Sequence, residues 1–234
     1  MNIPQDFHSF SDRDKLSTDL AAAIANLLSD GIARQGRASL AVSGGSTPVQ
    51  LFEYLSVIDI AWQHVDIFLV DERWVEPTDA DSNERLVKVH LLQNKASGAN
   101  FVGMKNAAET AGEGEAECEQ QLQRICQPFD VLILGMGGDG HTASLFPGAQ
   151  KLAAATDMDS GRTCMALAPL TAPHQRMSLT LPVILQSRHL LLHIVGQEKK
   201  DVLERALAEG PIEEMPIRFI LRRKVPSLGI YWAP

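Results

Sequence analysis

The sequence predicts an α/β protein built on a mostly parallel sheet with helices on both faces. Short apolar runs alternate with segments of helical periodicity, the pattern of successive βαβ units. Three of the runs end abruptly in glycine or charged clusters: Ser43-Gly44-Gly45, Asp71-Glu72-Arg73, and Gly135 onward. Buried parallel strands end this way, and ligands bind beyond their carboxyl ends. A chain of 234 residues with 45% hydrophobic content can bury one substantial core, and no linker or internal repeat divides it. One domain spanning 1–234 is expected.

The elements follow in order. Ser11 to Asp14 has capping-box spelling, and Leu16, Leu20, Ile24 and Leu27 then recur at helical spacing. Ala38 to Val42 reads as a buried strand. After it, Thr47 is placed to cap a helix, with Pro48 at the first helical position and Gln50 closing the box. Val65 to Val70 is a second strand, and 81 to 92 a helix opening at Asp81 or Ser82. Phe101-Val102 is a short strand. The Ala- and Glu-rich stretch 107 to 125 is expected to be helical, although Gly112 and Gly114 weaken its start. Phe129 to Leu134, Cys164 to Ala168, Met177 to Leu181 and His189 to Val195 are further strands. Helices over 199 to 208 and 217 to 221 precede a terminal strand at 227 to 232.

Composition narrows the function. A net charge of −8 and a pI near 5.3 argue against a general nucleic-acid binder, which needs a basic face. A small anion is still compatible, since a few cations and backbone amides reverse the field inside a cleft. The three cysteines, Cys118, Cys126 and Cys164, form no C-x-x-C pair, so a disulfide framework is not expected. The first residues lack the charged-then-apolar order of a signal peptide, and no apolar run approaches the ~18 residues of a membrane span. A cytoplasmic protein without membrane contact is the expectation.

The three strand ends should converge on one cleft. Ser43, Gly44, Gly45, Ser46 and Thr47 suit a phosphate, because glycines allow close backbone approach and a helix N-terminus follows. Gly135, Gly137 and Gly140 spell G-x-G-x-x-G, the dinucleotide fingerprint. That reading fails on two counts: Asp139 inside the turn would repel a pyrophosphate, and Phe146-Pro147-Gly148 cuts the required helix short. The turn instead presents Asp139 and His141 together. Imidazole suits proton transfer near neutral pH, and a neighbouring carboxylate fixes its tautomer. D-x-H supplies only two metal ligands, so no metal is expected. His8, His64, His90, His174, His189 and His193 have no such setting and read as ordinary residues.

At this point the motifs match a family. SGGSTP at 43–48, DERWV at 71–75, DSNE at 81–84 and GMGGDGHTASLFPG at 135–148 resemble the 6-phosphogluconolactonases, as do RMSLTLPVI at 176–184, GQEK at 196–199 and the terminal YWAP. Gly138 departs from the pattern, where many relatives carry a polar or acidic residue. The resemblance implies a Rossmann-like α/β fold shared with glucosamine-6-phosphate deaminases. It also implies hydrolysis of a sugar-phosphate lactone, 6-phospho-D-glucono-1,5-lactone, with no cofactor or metal. On that reading His141 activates water and Asp139 orients His141. The oxyanion falls to Arg73 or to glycine-turn amides such as that of Gly137. Ser43 to Thr47, Arg176 and Lys199 hold the phosphate, and Asp71 and Asn83 face the sugar hydroxyls. Each has a plain rival: Arg73 pairing with Glu72 or Glu76, Lys199 solvated beside Lys200, Asp71 capping a helix. Which of Asp71 and Glu72 faces the cleft stays open. Two other functions compete, a glucosamine-6-phosphate deaminase or isomerase and a non-catalytic sugar-phosphate sensor. Deaminase-type relatives resemble DGHIAFNEP, with a glutamate five residues after the histidine, where this chain has Phe146. A sensor would need the phosphate cradle but not the Asp139–His141 pair.

Overall fold

The computed structural model describes residues 6–125, 127–170, 172–223 and 227–234; Cys126 lies outside them. Among the described residues, seven parallel strands form the main sheet: β1 (Phe7–Ser9), β2 (Ala38–Val42), β3 (Val65–Leu69), β5 (Asn100–Val102), β6 (Val131–Leu134), β9 (His189–Val195) and β10 (Leu228–Ala233). Their spatial order is β1-β10-β9-β6-β2-β3-β5. The chain therefore winds outward from β2 through β3 and β5, then returns to β6 and winds the other way. β2 and β6 are the adjacent strands at which the direction reverses, with Leu40 opposite Val131 and Val42 opposite Ile133.

A second sheet was not foreseen. The charged cluster after β3 is itself a strand, β4 (Asp71–Arg73), and it pairs antiparallel with β8 (Arg176–Leu179), which pairs with β7 (Cys164–Leu167). These strands are too short to show a period, and β4 is spelled Asp-Glu-Arg, poor strand residues that tertiary pairing overrides.

Helices α1 (Arg13–Gln35), α2 (Val49–Ser56), α3 (Asn83–His90), α4 (Glu115–Leu122), α5 (Leu152–Thr156), α6 (Leu181–Gln186), α7 (Gln197–Leu207) and α8 (Arg218–Leu221) complete the fold. α1 buries Leu16, Leu20, Ile24 and Leu28, a stripe at helical spacing. Its cap is Asp12 rather than Ser11: Asp12 Oδ1 accepts the Lys15 N–H at 2.8 Å, while Ser11 donates to Asp12. The expected Thr47–Gln50 box does not form either. Pro48 occupies the cap position of α2 in the αR region, and Gln50 instead donates to Asp14. α2 thus enters the fold with no side-chain cap on its first amides.

The helix expected from 107 starts only at Glu115. Asn106 accepts the Ala108 N–H and donates to the Gly114 carbonyl, and Thr110 binds Glu113. Such side-chain bonds satisfy the backbone in a non-helical form. Gly114 also lies against Trp74, where a Cβ would come within 2.4 Å of the indole. Strand 177–181 ends at Leu179, and Leu181-Pro182 opens α6 with proline in its first turn.

Asp130 locks the edge of the sheet away from the strand ends that carry the clusters. It is buried, accepts the Ser39 N–H at 2.9 Å, and pairs with Arg34 and Arg188. Asp130→Ala should lower unfolding free energy by about 2–4 kcal/mol in urea titrations. Because Asp130 precedes β6 at its N-terminal end, the effect should be confined to stability, and the near-ultraviolet circular dichroism of the folded variant should match wild type.

Candidate active site

A cleft of about 320 Å³ opens where β2 and β6 end. That is the low end of the ~300–1,000 Å³ typical of ligand pockets, and it suits a monosaccharide better than a dinucleotide. Its wall contains Ser43 to Thr47, Asp71, Arg73, Asn83, Gly137, His141 and Lys199. All three polar clusters of the sequence reading therefore meet there. Asp139 sits beside the cleft as the partner of His141. Arg176 lies beside Arg73, buried on β8 and directly opposite it across the β4–β8 pair, and is not on the wall.

The loop from Ser43 to Thr47 is shaped by contacts on both sides. Ser43 Oγ donates to the Ile133 carbonyl at 3.0 Å, tying the end of β2 to β6. Gly44 lies so close to Asn83 that a Cβ would fall 1.8 Å from its Oδ1, and Gly45 has φ +93°. Only glycine meets both demands. Ser46 and Thr47 then lead to the uncapped amides of α2.

Glu72 turns away from the cleft, and Asp71 lines it. The Glu72 carboxylate accepts the backbone N–H groups of Arg73 (2.8 Å), Asn83 (2.7 Å) and Glu84 (2.8 Å), and the Ser82 hydroxyl at 3.1 Å. It thereby anchors the start of α3, alongside the Ser82 cap. Asp71 caps no helix: its Oδ2 accepts from Ser144 Oγ at 2.6 Å, and its carbonyl accepts from Asn83 Nδ2 at 2.8 Å. Arg73 takes neither expected partner. Its guanidinium donates to the Asp81 carbonyl at 2.6 Å, and Glu76 lies 3.9 Å from Lys105. Burial first, and then the Arg73 charge, hold the Arg176 guanidinium below its ordinary range.

The turn after β6 closes on itself. Gly137 N–H donates to the His141 carbonyl at 2.8 Å and Gly140 N–H to the Gly137 carbonyl at 3.1 Å. Two amides of the glycine turn are thus already engaged. Asp139 Oδ1 lies 2.6 Å from His141 Nδ1 and accepts the His141 N–H at 3.0 Å. Partial burial alone would push the Asp139 carboxyl up, but these two bonds outweigh it and hold it below the usual range. An ionised Asp139 accepts the hydrogen bond from Nδ1–H, so Nε2 carries the free lone pair of the neutral ring. No helix follows directly: Thr142 and Leu145 form an isolated bridge, so this turn does not lead into the helix N-terminus that a dinucleotide fingerprint requires.

On the far wall, Lys199 stands in the first turn of α7 and faces the cleft, while Lys200 packs over the Trp232 ring at 4.4 Å. The two adjacent lysines are thus separated by the helix face each occupies. His193, an ordinary core residue on periodicity alone, also lines the wall. Its signal in the sequence is that it is the one polar residue between Leu190 and Val195. Cys118 and Cys164 are buried free thiols, and contact with Cys164, then burial, pushes Cys118 up, away from nucleophile chemistry.

Residues 11–228 match the family model described as glucosamine-6-phosphate isomerases/6-phosphogluconolactonase. The chain belongs to this family. A 6-phosphogluconolactonase of Rhizobium meliloti is 43% identical over 97% of this chain and 98% of its own. One of Pseudomonas putida is 40% identical over 97% and 92%. The crystal structure of a 6-phosphogluconolactonase from Shewanella baltica superposes with a TM-score of 0.94 at 45% identity, covering 97% of both chains. The fold alone extends to a monomeric glucosamine-6-phosphate deaminase, at TM-score 0.78 and 16% identity.

Two buried groups beside the cleft make stability depend on pH in opposite senses. Burial pushes the Glu72 carboxyl up from 4.5 to about 7, against the donors around it. It favours the fold fully below 4.5 and loses that contribution as pH rises through about 7. Burial, then Arg13, holds the His193 imidazole down from 6.5 to about 4, so its contribution is present above 6.5 and lost as pH falls through about 4. Between about 4.5 and 6.5 the slopes oppose. Glu72→Gln should tilt stability upward with pH in that window relative to wild type, and His193→Gln should tilt it downward. Denaturant melts at closely spaced pH values measure both; three parallel curves would refute the assignment.

Proposed function

We propose that this chain is a 6-phosphogluconolactonase: it hydrolyses 6-phospho-D-glucono-1,5-lactone to 6-phospho-D-gluconate, the second step of the oxidative pentose phosphate pathway. The observation that carries the mechanism is the Asp139–His141 pair at 2.6 Å, set at the end of β6 across one cleft from the phosphate loop at the end of β2. Nδ1 is committed to Asp139, so Nε2 takes a proton from the water that attacks C1. The tetrahedral oxyanion forms, the bond from C1 to the ring oxygen breaks, and His141 returns the proton to that oxygen. Water is consumed, the ring opens, and the new carboxylic acid ionises. A lactone carbonyl is electrophilic enough that a base of this strength suffices.

Arg73, on the cleft wall, is assigned to the oxyanion; the Gly137 and Gly140 amides are engaged within the turn. Ser43 to Thr47 with the open N-terminus of α2 receive the 6-phosphate, and Lys199 supplies a countercharge from across the cleft. Arg176 adds positive potential from beside Arg73. Asp71 and Asn83 stand where sugar hydroxyls need acceptors and donors. A deaminase reading is disfavoured because Phe146 occupies the position of the glutamate in deaminase-type relatives and packs on the His141 ring.

The test is a lactonase assay on freshly generated substrate with the spontaneous rate subtracted. His141→Ala should lose about 10²–10⁴-fold in kcat while still binding 6-phosphogluconate. Retention of most activity would sink the His141 mechanism. Lys199→Ala should raise KM more than it lowers kcat, as expected for uniform binding of the phosphate. A loss confined to kcat would reassign Lys199 to the transition state.

A further inference from the structure

We propose that Phe146 is a positioning residue: its ring is a platform that sets the plane of His141 so that Nε2 is aimed into the cleft. The proposal rests on the reading of His141 as the base. The two rings stack with centroids 4.0 Å apart and planes 26° from parallel. Phe146 is only 6% exposed, whereas the His141 side chain is 30% exposed and that of Asp139 39%. The hydrogen bond to Asp139 therefore sits at the surface, where a carboxylate can swing with the imidazole and water competes for both. By itself that bond fixes which nitrogen carries the proton, and leaves the ring free to pivot about it.

Phe146 removes this freedom. The isolated bridge between Thr142 and Leu145, with the Leu145 N–H on the Thr142 carbonyl at 3.0 Å, doubles the chain back directly after His141. Ala143 takes φ +49° in that reversal. The fold-back lays Phe146 over the imidazole. Gly137 also crowds the ring, since a Cβ there would come within 2.1 Å of Nδ1 and 2.2 Å of Cε1. The imidazole is thus held at its edge by Asp139, on its face by Phe146, and at its Nδ1–Cε1 side by the Gly137 backbone. Tilting Nε2 away from the attacking water requires breaking the stack. A misplacement of about 1 Å can cost about 10²-fold in rate, so a platform of this kind acts on turnover rather than on binding.

The experiment is a set of Phe146 variants beside His141→Ala. Phe146→Leu and Phe146→Met, which keep apolar bulk without a ring face, should lower kcat about 10- to 100-fold and leave KM within about twofold. Phe146→Tyr should restore kcat to within a few-fold of wild type. NMR of imidazole-labelled protein gives a readout that packing alone would not move. The carbon-bound ring protons of His141 should be shifted upfield in wild type and Phe146→Tyr, and return toward free-histidine values in the Leu and Met variants. Unshifted His141 resonances in wild type, a Leu or Met variant with near-normal kcat, or failure of Tyr to rescue would each overturn the platform. If His141→Ala remains active, the base assignment itself falls; if it is inactive while Phe146→Leu is active, only the platform falls.

Discussion

Everything in the cleft depends on one constraint of backbone routing, the reversal of strand order between β2 and β6. In a parallel sheet, each strand leaves its carboxyl end by a loop that must cross to a covering helix. Where neighbouring strands feed connections that run in opposite directions, the loops diverge and a crevice opens between them. Here one diverging loop is Ser43 to Thr47 and the other is Gly135 to His141. The first is glycine-rich because Asn83 presses on it; the second is glycine-rich because the turn must admit an imidazole. The proposed phosphate cradle and the proposed proton-transfer pair thus share a cleft as a result of topology, while their chemistry comes from the few side chains each loop carries.

A second layer of order comes from the small antiparallel sheet. Three consecutive residues of β4 do three different jobs: Asp71 faces the cleft, Glu72 anchors the start of α3, and Arg73 returns to the cleft wall. Alternation along a strand explains the outward–inward–outward sequence. Glu72 is buried among backbone amides, so it fixes Asn83, and Asn83 in turn holds the Asp71 carbonyl and shapes Gly44. The cost of that arrangement is a carboxylate kept out of water, which burial expresses as a raised pKa. Removing its charge relieves desolvation but weakens four contacts at once.

Much of this was legible in the sequence because it rests on local rules. The buried parallel strands are continuous apolar runs, and the loops that leave them are glycine-rich where the backbone must pass close to a side chain. The caps were less legible. Ser11 and Thr47 spell good caps, but Asp12 reaches the amide better in one case, and Gln50 is drawn away by α1 in the other. The antiparallel sheet was hidden because β4 and β8 are stabilised by pairing across about a hundred residues, which leaves no periodic trace in strands of three and four residues. The cleft residues themselves were found as motifs, whereas Glu72 and His193 stood out only once burial was known: one is a charge in a charged cluster, the other a histidine in an apolar run.

On the proposed reading of His141 as base, position 146 biases the chemistry of a shared scaffold. A base that must accept a proton from water needs a neutral imidazole, held still, with its free nitrogen exposed. An aromatic neighbour meets that need: it restrains the ring by contact over its face and adds no charge. A carboxylate in the same place would do the reverse. Beside Asp139 it would put two anions around one imidazole, favour the charged ring, and leave Nε2 with a proton to give rather than a lone pair to use. Such a group belongs in a site where a sugar ring must be opened by protonation and protons relayed along the substrate. Lactone hydrolysis begins at the opposite step, proton removal from water, and an apolar platform stacked at 4.0 Å on the imidazole is the arrangement compatible with it.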